Sequence, residues 1–364
     1  MPLPTIDLLI PETLTHGVTI DLEPAHNVQH SLMLLERTDE LSGMDEWVYR
    51  TVAQMTAEER EKHRLVMIGL FYATRPEASY SSFPAFLDHL AAVPPESLRD
   101  KVLNAYIEMA AWADDEPLPE AAEVMADINS FLTFLRRGFG DDHVFPEVEQ
   151  QAYTYLLDPP AMQELIVSHL RHMWHKYMAV EWERVRPMLQ KAVTAFRQID
   201  FSGQSREAIA RQILDRDAED ICYIEKIEDA DAVTFVPSAH VGPYVGKALA
   251  NGHMWILFGA RQPDGAVEDV PELGRAEILV RLSALADDTR LSILKLVAES
   301  GELRSQDIME RLDLSQSGAS RHLKQLSATG ILRERRCNGA KCYELNDARI
   351  DNTLQAVSGF LLDQ

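Results

Sequence analysis

Apolar and polar positions recur with two different periods along this chain, and each change of period marks an element boundary. Residues 5–22 (TIDLLIPETLTHGVTIDL) carry two β-rich runs broken by Pro11 and Gly17, the pattern of a short hairpin. From His26 to about Arg216 the spacing is helical. It predicts helices over 26–37, 43–55, 57–73, 83–92, 95–113, 118–138, 160–180, 182–198 and 205–216. Pro76, Pro94, Pro95, Pro117, Pro119, Pro146, Pro159 and Pro160 punctuate them, with the Ser202–Gly203 pair. No fixed period repeats, so a solenoid is not expected. Over 220–260 the pattern turns to strands: ICYIEKI, AVTFVPS and MWILFGA. The last is continuously apolar, as in a strand buried on both faces.

Residues 275–364 are denser in signals. Helices are predicted over 272–285, over 288–299 behind an Asp287 cap and before Gly301, and from Arg304 or Ser305 onward. Ser315 caps a helix over 316–328 that Gly330 stops. Strands at 331–337 and 341–345 flank the turn pair Asn338–Gly339, and a helix over 347–362 closes the chain. Helix, tight turn, helix and hairpin in that order make a winged helix-turn-helix. The expected fold class is therefore mainly α with small β parts. A helical N-terminal domain over 1–262, ending in a short sheet, is joined by a linker over 263–274 to a winged helix-turn-helix over 275–364.

Charge sharpens the division. The net charge of −23 argues, taken whole, against nucleic acid. Residues 1–274 carry all of it, with 22 basic and 45 acidic side chains, whereas 275–364 carry 13 of each. Arg321, Lys324, Arg333, Arg335, Arg336 and Lys341 crowd the second motif helix and the hairpin, with Glu334 among them. A local cationic stripe is what phosphate contact requires. Three cysteines make no disulfide framework, no apolar run reaches about 18 residues, and the N-terminus lacks a basic leader region. A soluble cytoplasmic protein away from the membrane is expected. No P-loop, GxGxxG after a strand or nucleophile elbow is present, and Ser238 with His240 does not make a triad. An enzyme is therefore not expected, and no cofactor or metal is assigned.

On helix 316–328, Ala319, Leu323 and Leu326 form the buried face. Gln316, Ser317, Ser320, Arg321 and Lys324 fall on the other side. Arg and Gln can read guanine and adenine edges, and Ser315 with Ser317 at the helix start can hold a phosphate. The candidate DNA-binding set is Ser315, Gln316, Ser317, Ser320, Arg321, His322 and Lys324, with Arg335, Arg336 and Lys341 of the hairpin.

LADDTRLSILKLV (285–297), then ELRSQDIMERLDLSQSGASRHLKQLSATGIL and a basic wing, resembles the ArsR/SmtB family of bacterial repressors over about 275–362. The resemblance implies a homodimer joined by helices 272–285 and 347–362, through Ile278, Leu282, Ile350, Leu354, Val357 and Leu361. It also implies a palindromic duplex-DNA operator and repression relieved by an effector, a small molecule or a protein. The metal-sensing members carry a thiol pair where this chain has Arg304 and Gln306, and the last helix holds no histidine, so metal sensing at those places is not expected. The signal then enters through the N-terminal domain, whose aromatic residues (Tyr72, Tyr106, Phe131 and Tyr153 among them) are either core or the lining of an apolar pocket. Cys337 and Cys342 bracket the wing turn and, with a four-residue loop, are expected to face each other, as two incidental small residues or as a redox pair. His169, His172 and His175 share one helix, and His26 and His30 another. Both groups read as packing and capping residues rather than as ligands.

Overall fold

The computed structural model describes residues 17–111, 119–140, 144–215, 225–260, 271–337 and 340–362. Cα proximity divides the chain into two compact units: Glu23–Glu36 with Trp47–Glu183, and Met1–Leu22 with Arg37–Glu46 and Arg184–Gln364. The predicted linker falls mostly outside the described residues, and its last four already belong to a helix starting at Pro271.

Among the described residues, the regular elements of the first unit are helices: α1 (Pro24–Leu34), α2 (Glu46–Gln54), α3 (Ala57–Arg64), α4 (Phe83–Ala92), α5 (Pro95–Ala111), α6 (Ala121–Val124), α7 (Ile128–Phe139), α8 (Pro146–Leu156) and α9 (Pro159–Met173). Thr56 and Glu59 cap α3 reciprocally, the Thr56 hydroxyl accepting from Glu59 N at 3.1 Å and the Glu59 carboxylate from Thr56 N at 2.9 Å. The expected helix 57–73 breaks into α3, a π-helical turn Leu65–Gly69 and a 3-10 turn Phe71–Thr74. Gly69 lets Ala152 of α8 approach, and the Tyr106 hydroxyl donates to the Gly69 carbonyl at 2.9 Å. α8 itself was not predicted. Pro146, read as a break, is instead its first residue, where a missing N–H costs nothing. Tyr106 meets Tyr72, Phe131 and Phe139 ring to ring, and Phe131 meets Tyr153, so these aromatics fill one another's space as core. The three histidines near the end of α9 diverge. His169 is buried against His63 at 3.0 Å, His172 reaches Glu59 at 2.7 Å, and His175 is exposed.

The second unit contains β1 (Val18–Ile20), α10 from Arg184 on (Ala179–Arg197), α11 (Arg206–Leu214), α12 (Glu225–Asp229), β2 (Ala232–Ser238), β3 (Val245–Ala250) and β4 (His253–Gly259). The strands order β1-β2-β4-β3, the first three parallel and β3 antiparallel to β4. β1 was expected in a hairpin with residues 5–10, which lie outside the described residues; the structure pairs it in parallel with β2. ICYIEKI was expected as a strand, but Glu225–Asp229 is helical and 221–224 are not described. β3 was missed because VGKALA lies in a Gly-rich stretch that reads as loop. β4 is buried on both faces as predicted. Met254, Ile256 and Phe258 join Val233 and Phe235 against Phe196, Ile209 and Ile213, while Trp255 and Leu257 pack with Val236 on the other side.

The same unit carries the C-terminal elements: α13 (Pro271–Leu285), α14 (Asp288–Ser300), β5 (Leu303–Arg304), α15 (Ser305–Leu312), α16 (Gln316–Ala328), β6 (Leu332–Cys337), β7 (Ala340–Leu345) and α17 (Asp347–Leu362). β5-β7-β6 form an antiparallel sheet, and Ile293, Val297, Ile308, Leu323, Leu326, Ile331 and Leu332 make their common core. This is the winged helix-turn-helix that the pattern predicted, with β5 added.

One buried acid generates a pH prediction. Glu149 of α8 is 5% exposed, and its Oε2 has no hydrogen-bond partner among the described residues. Burial pushes its carboxyl up to about 7. The folded state therefore keeps a proton that the unfolded chain releases near 4.5, so this group's contribution is full below that value and is lost as pH rises through about 7. Glu149→Gln is expected to stabilise the protein by roughly 2–3 kcal/mol above pH 8 and by nothing near pH 4, as read by urea unfolding at both pH values. An equal effect at both pH values contradicts the assignment.

Candidate DNA interface and the cavity behind it

α16 begins at a Ser315 cap whose hydroxyl accepts from Gly318 N at 3.2 Å. Asp313, at φ 51°, makes the left-handed step out of α15 that sets α16 across it. Ala319, Leu323 and Leu326 are buried as predicted. Ser315, Gln316, Ser317, Arg321 and Lys324 are exposed, and Ser320 is half-buried. The structure thus gathers seven hydrogen-bonding or cationic groups, His322 included, on or beside one helix.

His322 differs from the others. Its side chain is only 12% exposed, its Nδ1 lies 3.8 Å from Asp287, and burial pushes the imidazole down from its ordinary value. A neutral ring against the cap of α14 braces α16 more than it attracts phosphate. Asp287 meanwhile accepts from Arg290 N at 2.9 Å, so one carboxylate starts α14 and steadies α16.

The wing is less bare than its sequence suggests. Arg335 pairs with Glu302, Lys341 with Glu334 at 2.6 Å, and Arg333 with Glu344 at 3.7 Å. These pairs are exposed and worth little each, so phosphate can compete for the cations. The side chain of Arg336 lies outside the described residues. Among the described residues, Arg321 and Lys324 make no ion pair, which leaves α16 the more available positive element.

The register corrects one expectation. Cys342 stands opposite Arg335, and Cys337 opposite Ala340, so the cysteines are offset by two pairs along the ladder, with Arg336 and Lys341 paired between them, rather than face to face. Cys337 pairs with Ala340, which leaves no place for the longer loop that direct pairing needs. Cys342 is 3% exposed; the Cys337 side chain lies outside the described residues.

At the positions of the family's thiols, Arg304 N donates to Asp307 at the start of α15, and the Gln306 amide donates to Glu310 at 2.9 Å. Both places do surface helix work. The residues proposed for self-association divide. Ile350 packs on the core; Ile278, Leu282 and Val357 are half-buried; Leu354 and Leu361 are exposed, with Leu279 and Phe360 beside them in sequence on α13 and α17. An exposed apolar face thus exists on these two helices, which contact each other.

The back of α16 was not legible in the pattern. Gln325 is 1% exposed, and its Oε1 accepts from Ser42 Oγ at 2.5 Å. Gly43, at φ 83°, leaves room for that amide; a Cβ there would run into it. Arg349 of α17 donates through Nε to the Thr329 carbonyl at 3.1 Å, capping the end of α16, and through Nη1 to Asp215 at 2.5 Å. Arg281 of α13 donates to the same Asp215 oxygen at 3.1 Å. Gly43, Asp215, Arg281, Thr329 and Arg349 line a cavity of about 390 Å³. Its lining comes from 43–46, α10, α11, the β2–β3 segment, β4, α13, α16 and α17, all within the second unit. The only sequence signal was polar residues flanking the apolar stripe of α16, which could as well have been solvated.

The model of the bacterial regulatory protein, arsR family matches residues 287–334. An arsenic resistance transcriptional regulator of Pseudomonas putida is 43% identical over 84 residues, 22% of this chain and 66% of that one. An arsenical resistance operon repressor of Staphylococcus aureus is 34% identical over 79 residues, 22% of this chain and 75% of that one. A cadmium resistance regulatory protein homologue of Staphylococcus aureus is 28% identical over 90 residues, 25% of this chain and 74% of that one. Each of these similarities covers a quarter of the chain or less.

The burial of Cys342 is checked by labelling. It is expected to react with iodoacetamide only as fast as the domain opens, and readily in urea; rapid native labelling of Cys342, located by mass spectrometry, contradicts the observed packing.

Proposed function

Because the chain belongs, through its C-terminal region, to the arsR family of bacterial regulatory proteins, we propose that it is a sequence-specific duplex-DNA-binding transcriptional repressor. It acts as a cytoplasmic homodimer on a palindromic operator, with no catalytic activity of its own, and its signal enters through residues ahead of α13. The observation that carries the reading is α16 itself. Its capped N-terminus, exposed Gln316, Ser317, Arg321 and Lys324, and buried Ala319, Leu323 and Leu326 give it one face to hold and one face to read with.

Each part has a role in the proposal. Ser315 and Ser317 at the positive end of α16 hold a phosphate and set the register. Gln316, Ser320 and Arg321 face base edges, Arg321 reading guanine. Lys324, Arg335, Arg336 and Lys341 follow the backbone, the wing cations exchanging Glu302 and Glu334 for phosphate. The exposed apolar residues of α13 and α17, Leu279, Leu354, Phe360 and Leu361, meet the same residues of a second copy and place two α16 helices one helical turn apart. Arsenic or cadmium sensing is not carried over from the named relatives, since Arg304 and Gln306 are not soft-metal ligands. No helix among the described residues is long and apolar enough to cross a membrane.

Arg321→Ala is expected to weaken binding to a DNA fragment enriched by the wild-type protein by about 1–3 kcal/mol, roughly 5- to 150-fold, without lowering the melting temperature. Lys324→Ala is expected to weaken all sequences alike and to reduce the salt slope by about 1. Fluorescence anisotropy across a salt series reads both. Unchanged affinity in Arg321→Ala overturns the reading role given to α16.

A further inference from the structure

We propose that the cavity behind α16 is an effector site for a small amphiphilic carboxylate, and that Asp215 occupies the place of that ligand's head group. The proposal deepens the reading of residues ahead of α13 as the signal input, but its readout is taken without DNA, so the two fail separately.

The chain itself displays the recognition chemistry. Arg281 of α13 and Arg349 of α17 converge on one carboxylate oxygen, Asp215 Oδ2, at 3.1 and 2.5 Å. Their side chains are only 12% and 19% exposed, so both guanidiniums are substantially withdrawn from water beside the cavity. Such groups select carboxylates, through charge-assisted bonds in fixed planar geometry. A ligand carboxylate has two oxygens to give them. Asp215 is also an exchangeable partner. It ends α11 at φ 51° and ψ 48°, a conformation that costs a non-glycine residue about 1 kcal/mol, and its side chain is 27% exposed. The exchange keeps both guanidiniums paired with a carboxylate; the ligand brings one added negative charge, and the displaced Asp215, already 27% exposed, turns to water.

Part of the remaining lining is apolar and fits a tail, with Asp45, Glu46 and Arg184 also contributing to the wall. Met44, Val185, Met188, Leu214, Val245 and Phe258 line the apolar part, and they are aliphatic or thioether side chains but for one ring. A volume of about 390 Å³ lies in the small-molecule range. It accommodates roughly a dozen non-hydrogen atoms at the ~30 Å³ that a water takes in the liquid. The two methionines suit a chain without a fixed shape.

Occupancy would reach the reading helix by a short path. Asp215 joins α11 to α13 and α17, and Arg349 also holds the last carbonyl of α16 at Thr329. A ligand carboxylate that replaces Asp215 keeps Arg349 charged and bonded but releases α11 from both C-terminal helices. The ends of α13, α16 and α17 then answer to the ligand rather than to the preceding domain.

Isothermal titration calorimetry of the full-length protein with decanoate, and with 1-decanol as the neutral match, tests the site. Decanoate is expected to bind at least tenfold tighter than decanol. Arg281→Gln and Arg349→Gln are each expected to weaken decanoate tenfold or more, with decanol unaffected. Asp215→Asn is expected to tighten decanoate roughly tenfold, because the internal competitor is gone; a merely structural Asp215 would not give that sign. Equal affinity for decanoate and decanol, weaker decanoate binding in Asp215→Asn, or no decanoate binding in either wild type or Asp215→Asn overturns the proposal. Circular-dichroism melting establishes that each variant is folded; if one arginine variant is not, the other supplies the comparison.

Discussion

Leu323 and Leu326 anchor α16 in its domain core, Gln325 ties its flank to Ser42, and Arg349 holds its last carbonyl. This attachment of the buried side is the constraint on which the outer side depends. A helix that reads base edges must be fixed to within fractions of an ångström, since a misplaced guanidinium loses its bidentate pair. The two leucines supply most of the free energy, about 1.5–3 kcal/mol each by area removed from water. Gln325 and Arg349 add direction, because hydrogen bonds fix rotation where apolar contact allows sliding. Both polar ties connect α16 to segments that precede or follow the helix-turn-helix in sequence. The reading surface is therefore set by more than the small domain that carries it.

The C-terminal quarter was legible because its elements are short, amphipathic and separated by residues with one obvious use. Asp287, Gly301, Ser315 and Gly330 each appear in the structure where the pattern put them. The middle of the chain misled where one residue type has two uses. Pro146 starts a helix and was read as a break. VGKALA is a strand edge and was read as loop. The wing cysteines were placed opposite each other on the strength of a four-residue loop; the observed register, with Cys337 paired to Ala340, offsets them. The Asp215, Arg281 and Arg349 cluster could not have been found from spacing. Its members are far apart in sequence, and each alone looks like a surface charge.

The charge distribution gains meaning from the same contacts. The acidic excess of 1–274 would oppose approach to a duplex if it were spread over the reading face. Of the acids in 1–274, Asp215 is held by Arg281 and Arg349; within 275–364, Glu302 meets Arg335 and Glu334 meets Lys341. The wing pairs are exposed and exchangeable, whereas the Asp215 cluster is half-withdrawn from water and joins three helices. One set suits competition with phosphate, the other a link between input and output.

The central claim, that paired α16 helices read duplex DNA, is tested most directly by selection of bound sequences from a random duplex library by the full-length protein, followed by sequencing. The account predicts an enriched palindrome whose half-sites are centred about one helical turn, 10–10.5 base pairs, apart. Recovery of no motif, with the protein folded and at low salt, contradicts it.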